Sequence, residues 1–280
     1  MITNKLLGAA GHGGIIPGAW DLTTAVYSGR SFSFPTGSHY GIAWKPDGTK
    51  FYYCRSDGTD YLYEYNATTP WDITSLVYVD RFIVTTTAQD PNGVWFKPDG
   101  TKVYILSFVE KGIIQFSLST PWDVSTMSWD NKKLGDGAAE GLPEGLYIRS
   151  DGASDGVQVF KTGRDGGTVR EFSLSTAWDI STDTYVQEYN PPVLPYDVHF
   201  SPDGLKMFIL QASTTSSNDA VYEHDLSTAW DISTATYNSV KFTINAQDSF
   251  PRAITFKPDG TRMYLAGFST NDVFEYELGD

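Results

Sequence analysis

Apolar residues along this chain gather in short β-type runs broken by Gly, Pro, Asp and Ser. No stretch carries a long 3.6-residue apolar period, so helices are expected to be nearly absent. The segment VWFKPDGTKVYIL, residues 94–106, shows the pattern: two short runs meet at Pro98-Asp99-Gly100. Proline presets φ for a turn, aspartate tolerates the second corner, and glycine takes the left-handed position. This predicts a strand A, a tight hairpin and a strand B. A third run follows, such as IIQFS (113–117), VREFS (169–173) or VYEHD (221–225), and a fourth such as TYNSVKFTI (236–244). These predict strands C and D.

The four-run unit recurs. Trp-Asp dipeptides stand at Trp20-Asp21, Trp71-Asp72, Trp122-Asp123, Trp178-Asp179 and Trp230-Asp231, at spacings of 51, 51, 56 and 52. A second marker, Pro-Asp-Gly or its Ser-Asp-Gly variant, begins at Pro46, Pro98, Ser150, Pro202 and Pro258, at spacings of 52, 52, 52 and 56. One stretch, LSTAWDIST, occurs letter for letter at 174–182 and 226–234. Four antiparallel strands repeated about every 50 residues predict a β-propeller, whose radial sheets bury both faces against neighbouring sheets. That burial explains why strand A reads apolar at successive positions. The last unit stops at VFEYELGD, where its Trp-Asp segment should begin, and the chain supplies that segment and a fourth strand in PGAWDLTTAVYSGRSF near its start. The expected fold is therefore all-β: a single five-bladed propeller of four-stranded blades over residues 17–280, its ring closed by the N-terminal strand completing the last blade. Residues 1–16 read as a glycine-rich arm, for docking or as a tail.

Composition narrows the chemistry. The net charge is −14 and the isoelectric point near 4.6, which argues against a nucleic-acid partner. The single cysteine, Cys54, excludes internal disulfides and a cysteine-built zinc site. The four histidines lack ligand spacing, and Ser150–Gly156 lacks the alternating ligand series of a calcium loop, so no metal or cofactor is expected. No run of 18 apolar residues offers a membrane span. The arm is too short and too glycine-rich to read as a signal peptide.

Alignment of the five units separates what repeats from what does not. Propeller geometry puts the A–B hairpins and the Trp-Asp segments on one face, and the B–C loops and D–A connections on the other. The repeated Trp-Asp pairs read as structure: each tryptophan an anchor in a hollow at the blade rim, each aspartate bonding the loop backbone. The alternative is a set of aromatic ligand platforms. The recurrent strand C residues Glu64, Gln115, Glu171, Glu223 and Glu275 also read as structural. Six places ahead of the hairpin marker stand Tyr40, Asn92, Glu144, Tyr196 and Arg252, large, polar and almost all different. With His39, Asp90 and Asp197 nearby, they form the candidate binding face at the mouth of the central channel. The hairpin-to-tryptophan distance grows from 25 and 24 residues in the first two units to 28 in the next two, and the extra residues are expected to enlarge this same face. An enzymatic reading would use Asp90, Glu144 and Asp197 as converging carboxylates of a glycoside hydrolase, with Arg252 tuning one of them. No residue is assigned as catalytic.

The unit F-x-PDG-x-K-[MV]-[YF], followed by a V-x-E-[FY] strand, resembles the YVTN-type propeller repeats of bacterial, archaeal and phage surface proteins. The LSTAWDIST addition is similar to repeats of marine bacterial and phage proteins. The opening NKLLGAAGHGG is similar to the first residues of phage structural and fibre proteins. The resemblance implies a non-enzymatic virion surface protein, decorating head or tail or binding the host. Its arm would dock to other virion proteins, and its variable face would meet a host-surface glycan or protein. The alternatives are a secreted or cell-surface carbohydrate- or protein-binding propeller of a bacterium and, further off, a glycoside hydrolase.

Overall fold

The computed structural model describes residues 17–35, 37–135, 142–152, 155–212, 219–244 and 246–279, with backbone only at positions 38 and 39. β1 (Val26–Ser33) comes first. β2 (Ser38–Trp44), β3 (Lys50–Ser56), β4 (Tyr61–Ala67) and β5 (Leu76–Ile83) form one sheet. The next is β6 (Pro91–Phe96), β7 (Lys102–Ser107), β8 (Gly112–Leu118) and β9 (Met127–Gly135). A third holds β10 (Pro143–Ile148), β11 (Gln158–Gly163), β12 (Thr168–Leu174) and β13 (Asp183–Tyr189). A fourth holds β14 (Pro195–Phe200), β15 (Lys206–Gln211), β16 (Ala220–Leu226) and β17 (Ala235–Thr243). The last holds β18 (Pro251–Phe256), β19 (Arg262–Gly267) and β20 (Asp272–Glu277), with β1 as its outer strand. β1 runs antiparallel to β20, Val26 opposite Glu277 and Ser33 opposite Asp272. The expected five-bladed propeller and its closure are both present. The arm, residues 1–16, lies outside the described residues.

Burial follows position in the blade. β10 and β14 are buried at every residue, because neighbouring blades cover both faces. Outer strands such as β5 expose most of their length. The innermost strands β2, β6, β10, β14 and β18 touch one another in sequence around the axis. Five hydrophobic clusters fill the five seams between blades; Tyr52 and Cys54 of the first blade, for example, share one with Val103 and Ile105 of the second.

The Trp-Asp segment is the clasp of each seam. Every one of its tryptophans takes a positive φ of 62° to 66°, a conformation that is costly for a bulky residue. Neighbouring groups hold it there. The tryptophan N–H donates to the carbonyl of the hairpin glycine, as from Trp122 to Gly100 and from Trp71 to Gly48. Its ring lies so close that a Cβ on that glycine would stand 2.3 Å from Trp122, so the glycine is required for space as well as for its own φ of +74°. The following aspartate caps a short 3-10 turn, accepting from the backbone N–H and the hydroxyl two residues on at 2.6–3.2 Å in all five copies.

Strand B and strand C of the preceding blade complete the clasp. Tyr104 and Tyr264 donate to the carbonyls of Trp178 and Trp71 at 2.8 and 2.7 Å. The strand C carboxylate or amide accepts the N–H just after the Trp-Asp pair: Glu64 from Val124 at 2.9 Å, Gln115 from Ile180 at 3.2 Å and Glu223 from Leu22 at 3.3 Å. These residues hold the ring together, as their recurrence implies.

The third blade departs from the expected alignment. Trp178 sits on Gly156, four residues beyond Gly152, and Gly156 closes the turn by donating to Arg149. The additional residues of this unit therefore lengthen the A–B hairpin on the Trp-Asp face, not the opposite face. The repeated Ser-Asp-Gly motif hid the shift, since either copy fits the turn pattern.

Candidate functional site

The axis has two ends of different character. At the B–C loop end, the innermost strands deliver Tyr40, Asn92, Glu144, Tyr196 and Arg252 from five different blades. Glu144 is buried and ion-paired to Arg164 at 2.5 Å and Arg252 at 3.2 Å. Asn92 donates to the Pro143 carbonyl at 2.8 Å and to Glu144 at 3.3 Å. Arg164 also donates to the Tyr196 hydroxyl at 3.3 Å. The Arg252 guanidinium is packed among rings, 5.2 Å from Tyr40, 5.3 Å from Tyr196 and 4.2 Å from Phe250. The five positions singled out by their failure to repeat therefore meet as one interlocked cluster.

The other members of the predicted face are placed differently. Asp90 accepts from the Ser56 hydroxyl at 2.6 Å, and its backbone N–H donates to Asp60, within the seam of the first two blades. Asp197 is buried and accepts the N–H groups of Val198 and Ile254, each at 2.9 Å. Burial pushes its carboxyl up to about 8 against those bonds. Burial likewise raises Glu144, opposed by its two arginines. The side chain of His39 lies outside the described residues.

At the opposite end, on the Trp-Asp face, the axis widens into a cavity of about 260 Å³. Its walls come from all five innermost strands, the hairpin prolines and the tryptophans Trp20, Trp71, Trp122 and Trp230. The sequence reading gave each tryptophan an anchoring place in a hollow at the blade rim; these four also line the axial cavity. Trp178 is not on the wall. Its hairpin is the lengthened one, and Ser150 and Asp151 occupy that sector, with Asp151 held by Arg149 at 2.5 Å.

Sequence reasoning passed over the position that shapes this cavity. Three places ahead of each hairpin marker stand Ala43, Trp95, Tyr147, His199 and Thr255, and all five line it. The flanking positions are uniformly apolar, for example Ile42 and Trp44 in β2 or Val198 and Phe200 in β14. An invariably apolar frame around one chemically varied position was the available signal. His199 contacts Trp95, Tyr147 and Phe256 with ring centroids 5.0 to 6.1 Å apart, and burial pushes its imidazole down to about 3, which keeps it neutral at pH 7. The indole Nε1 atoms of Trp44 and Trp95 are buried without an acceptor. No Lys or Arg lines the cavity among the described residues. No group of three His, Cys, Asp or Glu able to hold a metal ion occurs among them either, nor any helix long and apolar enough to cross a membrane.

No protein-family model matches the sequence, and no curated protein matches it. Solved structures do share its fold. A protein of unknown function from Desulfotomaculum acetoxidans superposes with a TM-score of 0.54 at 12% identity, over 83% of this chain and 66% of that one. This chain therefore spans just under two thirds of that protein's length. A proposed 6-phosphogluconolactonase from Bacteroides uniformis gives 0.52 at 15% identity, over 84% and 80%. Another from Bacteroides fragilis gives 0.51 at 16%, over 84% and 79%. At such identities the similarity bears on the fold alone.

Proposed function

We propose that this chain is a non-enzymatic interaction propeller of the YVTN type, carried on the surface of a phage virion. The observation that carries the non-enzymatic part is the state of the axial carboxylates. Glu144 is saturated by Arg164, Arg252 and Asn92. Asp197 is saturated by backbone N–H groups. General acid–base work needs a carboxylate within reach of a substrate proton; Glu144 faces the protein's own donors, and Asp197, which borders the axial cavity, stands there with both oxygens accepting backbone N–H groups. Hydrolysis of a phosphosugar lactone, suggested by two of the similar folds, would need cations free to meet a phosphate. Arg164 and Arg252 are committed to Glu144.

The virion location is supported by the repeat and arm resemblances. Deletion of residues 2–14 tests it: the propeller should still fold, but its incorporation into phage particles should fall away. Undiminished incorporation would defeat the docking role of the arm. A second reading, a secreted bacterial carbohydrate-binding propeller, is favoured by one observation, the aromatic axial cavity. Both readings make the molecule a rigid carrier of binding surfaces.

A further inference from the structure

We infer that the axial cavity on the Trp-Asp face is a binding site for a single neutral sugar ring, such as the terminal residue of a glycan. This deepens the interaction reading above and rests on it.

Three observations select that ligand. The walls are aromatic, and the apolar faces of a pyranose pack against aromatic rings in the way other flat apolar surfaces do. The second is polar contact: the Thr255 hydroxyl and the neutral His199 ring stand at the same level of the wall. The third observation is charge: no Lys or Arg is on the wall among the described residues, and its carboxylates Asp151 and Asp197 are engaged by Arg149 and by backbone N–H groups, so a phosphate or carboxylate has no counter-ion there. A cavity of about 260 Å³ has room for a small ring-sized ligand.

The lengthened hairpin gives the site a direction. Four sectors of the rim carry proline and tryptophan, and the fifth carries Ser150 and Asp151. At the rim, an entering ring would meet proline and tryptophan in four sectors and polar groups in the fifth. That asymmetry distinguishes one hydroxyl pattern from another.

The test is isothermal titration of the intact chain with the methyl glycosides of glucose, galactose, mannose and N-acetylglucosamine. The 6-phosphate of whichever sugar binds and tetramethylammonium serve as charged probes. At least one glycoside is expected to saturate a single site, and its 6-phosphate to bind roughly tenfold more weakly or worse. Trp95→Ala should weaken binding by roughly tenfold or more through loss of the aromatic platform, and Trp95→Phe, which keeps a smaller ring, by less. Thr255→Val preserves shape and serves as the second, fold-neutral probe, expected to weaken binding. Val109→Ser, on an exposed loop of the opposite face, should change nothing. Circular dichroism verifies that each variant is folded.

Failure of every glycoside to bind at tens of millimolar would overturn the assignment. So would binding indifferent to Trp95→Ala in a folded variant. Tetramethylammonium binding tighter than any glycoside would show a cation cage instead and overturn it too. Conversion of a bound glycoside to products would defeat the non-enzymatic reading and leave the pocket standing. A pocket disproved by the Trp95 variants would leave the scaffold reading untouched.

Discussion

The hydroxyl of Tyr52 donates to the backbone carbonyl of Trp122, 2.7 Å away and 70 residues later in the chain. The bond crosses from the first blade to the second. It satisfies a carbonyl belonging to a residue held at positive φ, and Tyr104 and Tyr264 repeat it. Phe160 and Phe208 occupy the same strand B position, opposite Glu171 and Glu223, so two seams manage without it. Tyr52→Phe should therefore fold normally and lose about 1 kcal/mol, the usual net worth of one such bond. Urea unfolding with an unchanged m-value checks this, and undiminished stability would remove the tyrosine from the clasp.

The register of the third hairpin can be tested with two glycines. Gly152 and Gly156 both have positive φ, +82° and +69°, but a Cβ at Gly152 meets open space while one at Gly156 would stand 2.3 Å from the Trp178 ring. Each alanine substitution carries the left-handed penalty of about 1–2 kcal/mol. Gly156→Ala must in addition displace the tryptophan, and should be the more destabilising by at least about 1 kcal/mol. Equal thermal midpoints for the two variants would restore Gly152 as the seat of Trp178.

Glu144 holds two guanidinium groups at the B–C loop end of the axis. Glu144→Ala strands both in a largely buried site, for an expected loss of about 3 kcal/mol. Removing Arg252 as well should recover part of that loss, because one of the stranded charges is gone. A double-mutant cycle by chemical denaturation measures the coupling, and simple additivity would mean that the two side chains do not act together.

Asp197 and His224 should tilt the pH dependence in opposite senses. In the folded protein the Asp197 carboxyl is raised to about 8 by burial, so between pH 4 and 8 the native state holds a proton that the unfolded chain has released. Its contribution is present at low pH and is lost as pH rises through that window. Asp197→Asn should flatten the decline, seen as a smaller difference between unfolding free energies measured at pH 5 and pH 8.

His224 is fully buried, and burial lowers its imidazole to about 4. Here the unfolded chain takes up the proton first, below its ordinary value near 6.5, so stability is present above that pH and lost as pH falls toward 4. The equivalent strand C positions in two other blades hold Phe116 and Phe172. His224→Phe should gain stability relative to the parent, by an amount that grows between pH 6.5 and 4. A constant difference across that range would show that the imidazole does not titrate with unfolding.

Two markers of one period were enough to reach blade count, strand order and ring closure, because propeller architecture follows from repetition and from which strands bury both faces. The convergence of Tyr40, Asn92, Glu144, Tyr196 and Arg252 was also visible, since a fixed offset from a repeated turn fixes a place in the blade. What escaped was local. Gly152 and Gly156 sit in identical Asp-Gly pairs, and only the Trp178 ring distinguishes them. The axial cavity escaped for a related reason: repeated tryptophans look like framework, and framework they are, yet four of them also face a shared space that no single unit contains. Asp90 went elsewhere because its backbone turns at a positive φ of 49° and ties it to the first seam.

The pairing of β1 with β20 has a mechanical consequence. Val26 lies opposite Glu277, so the chain enters and leaves this hairpin-like pair at the same end. A pulling force applied between the two ends would load the backbone bonds one at a time, like a zipper, rather than together in shear. Tension between the two ends of the chain is thus delivered to the ring at its closure.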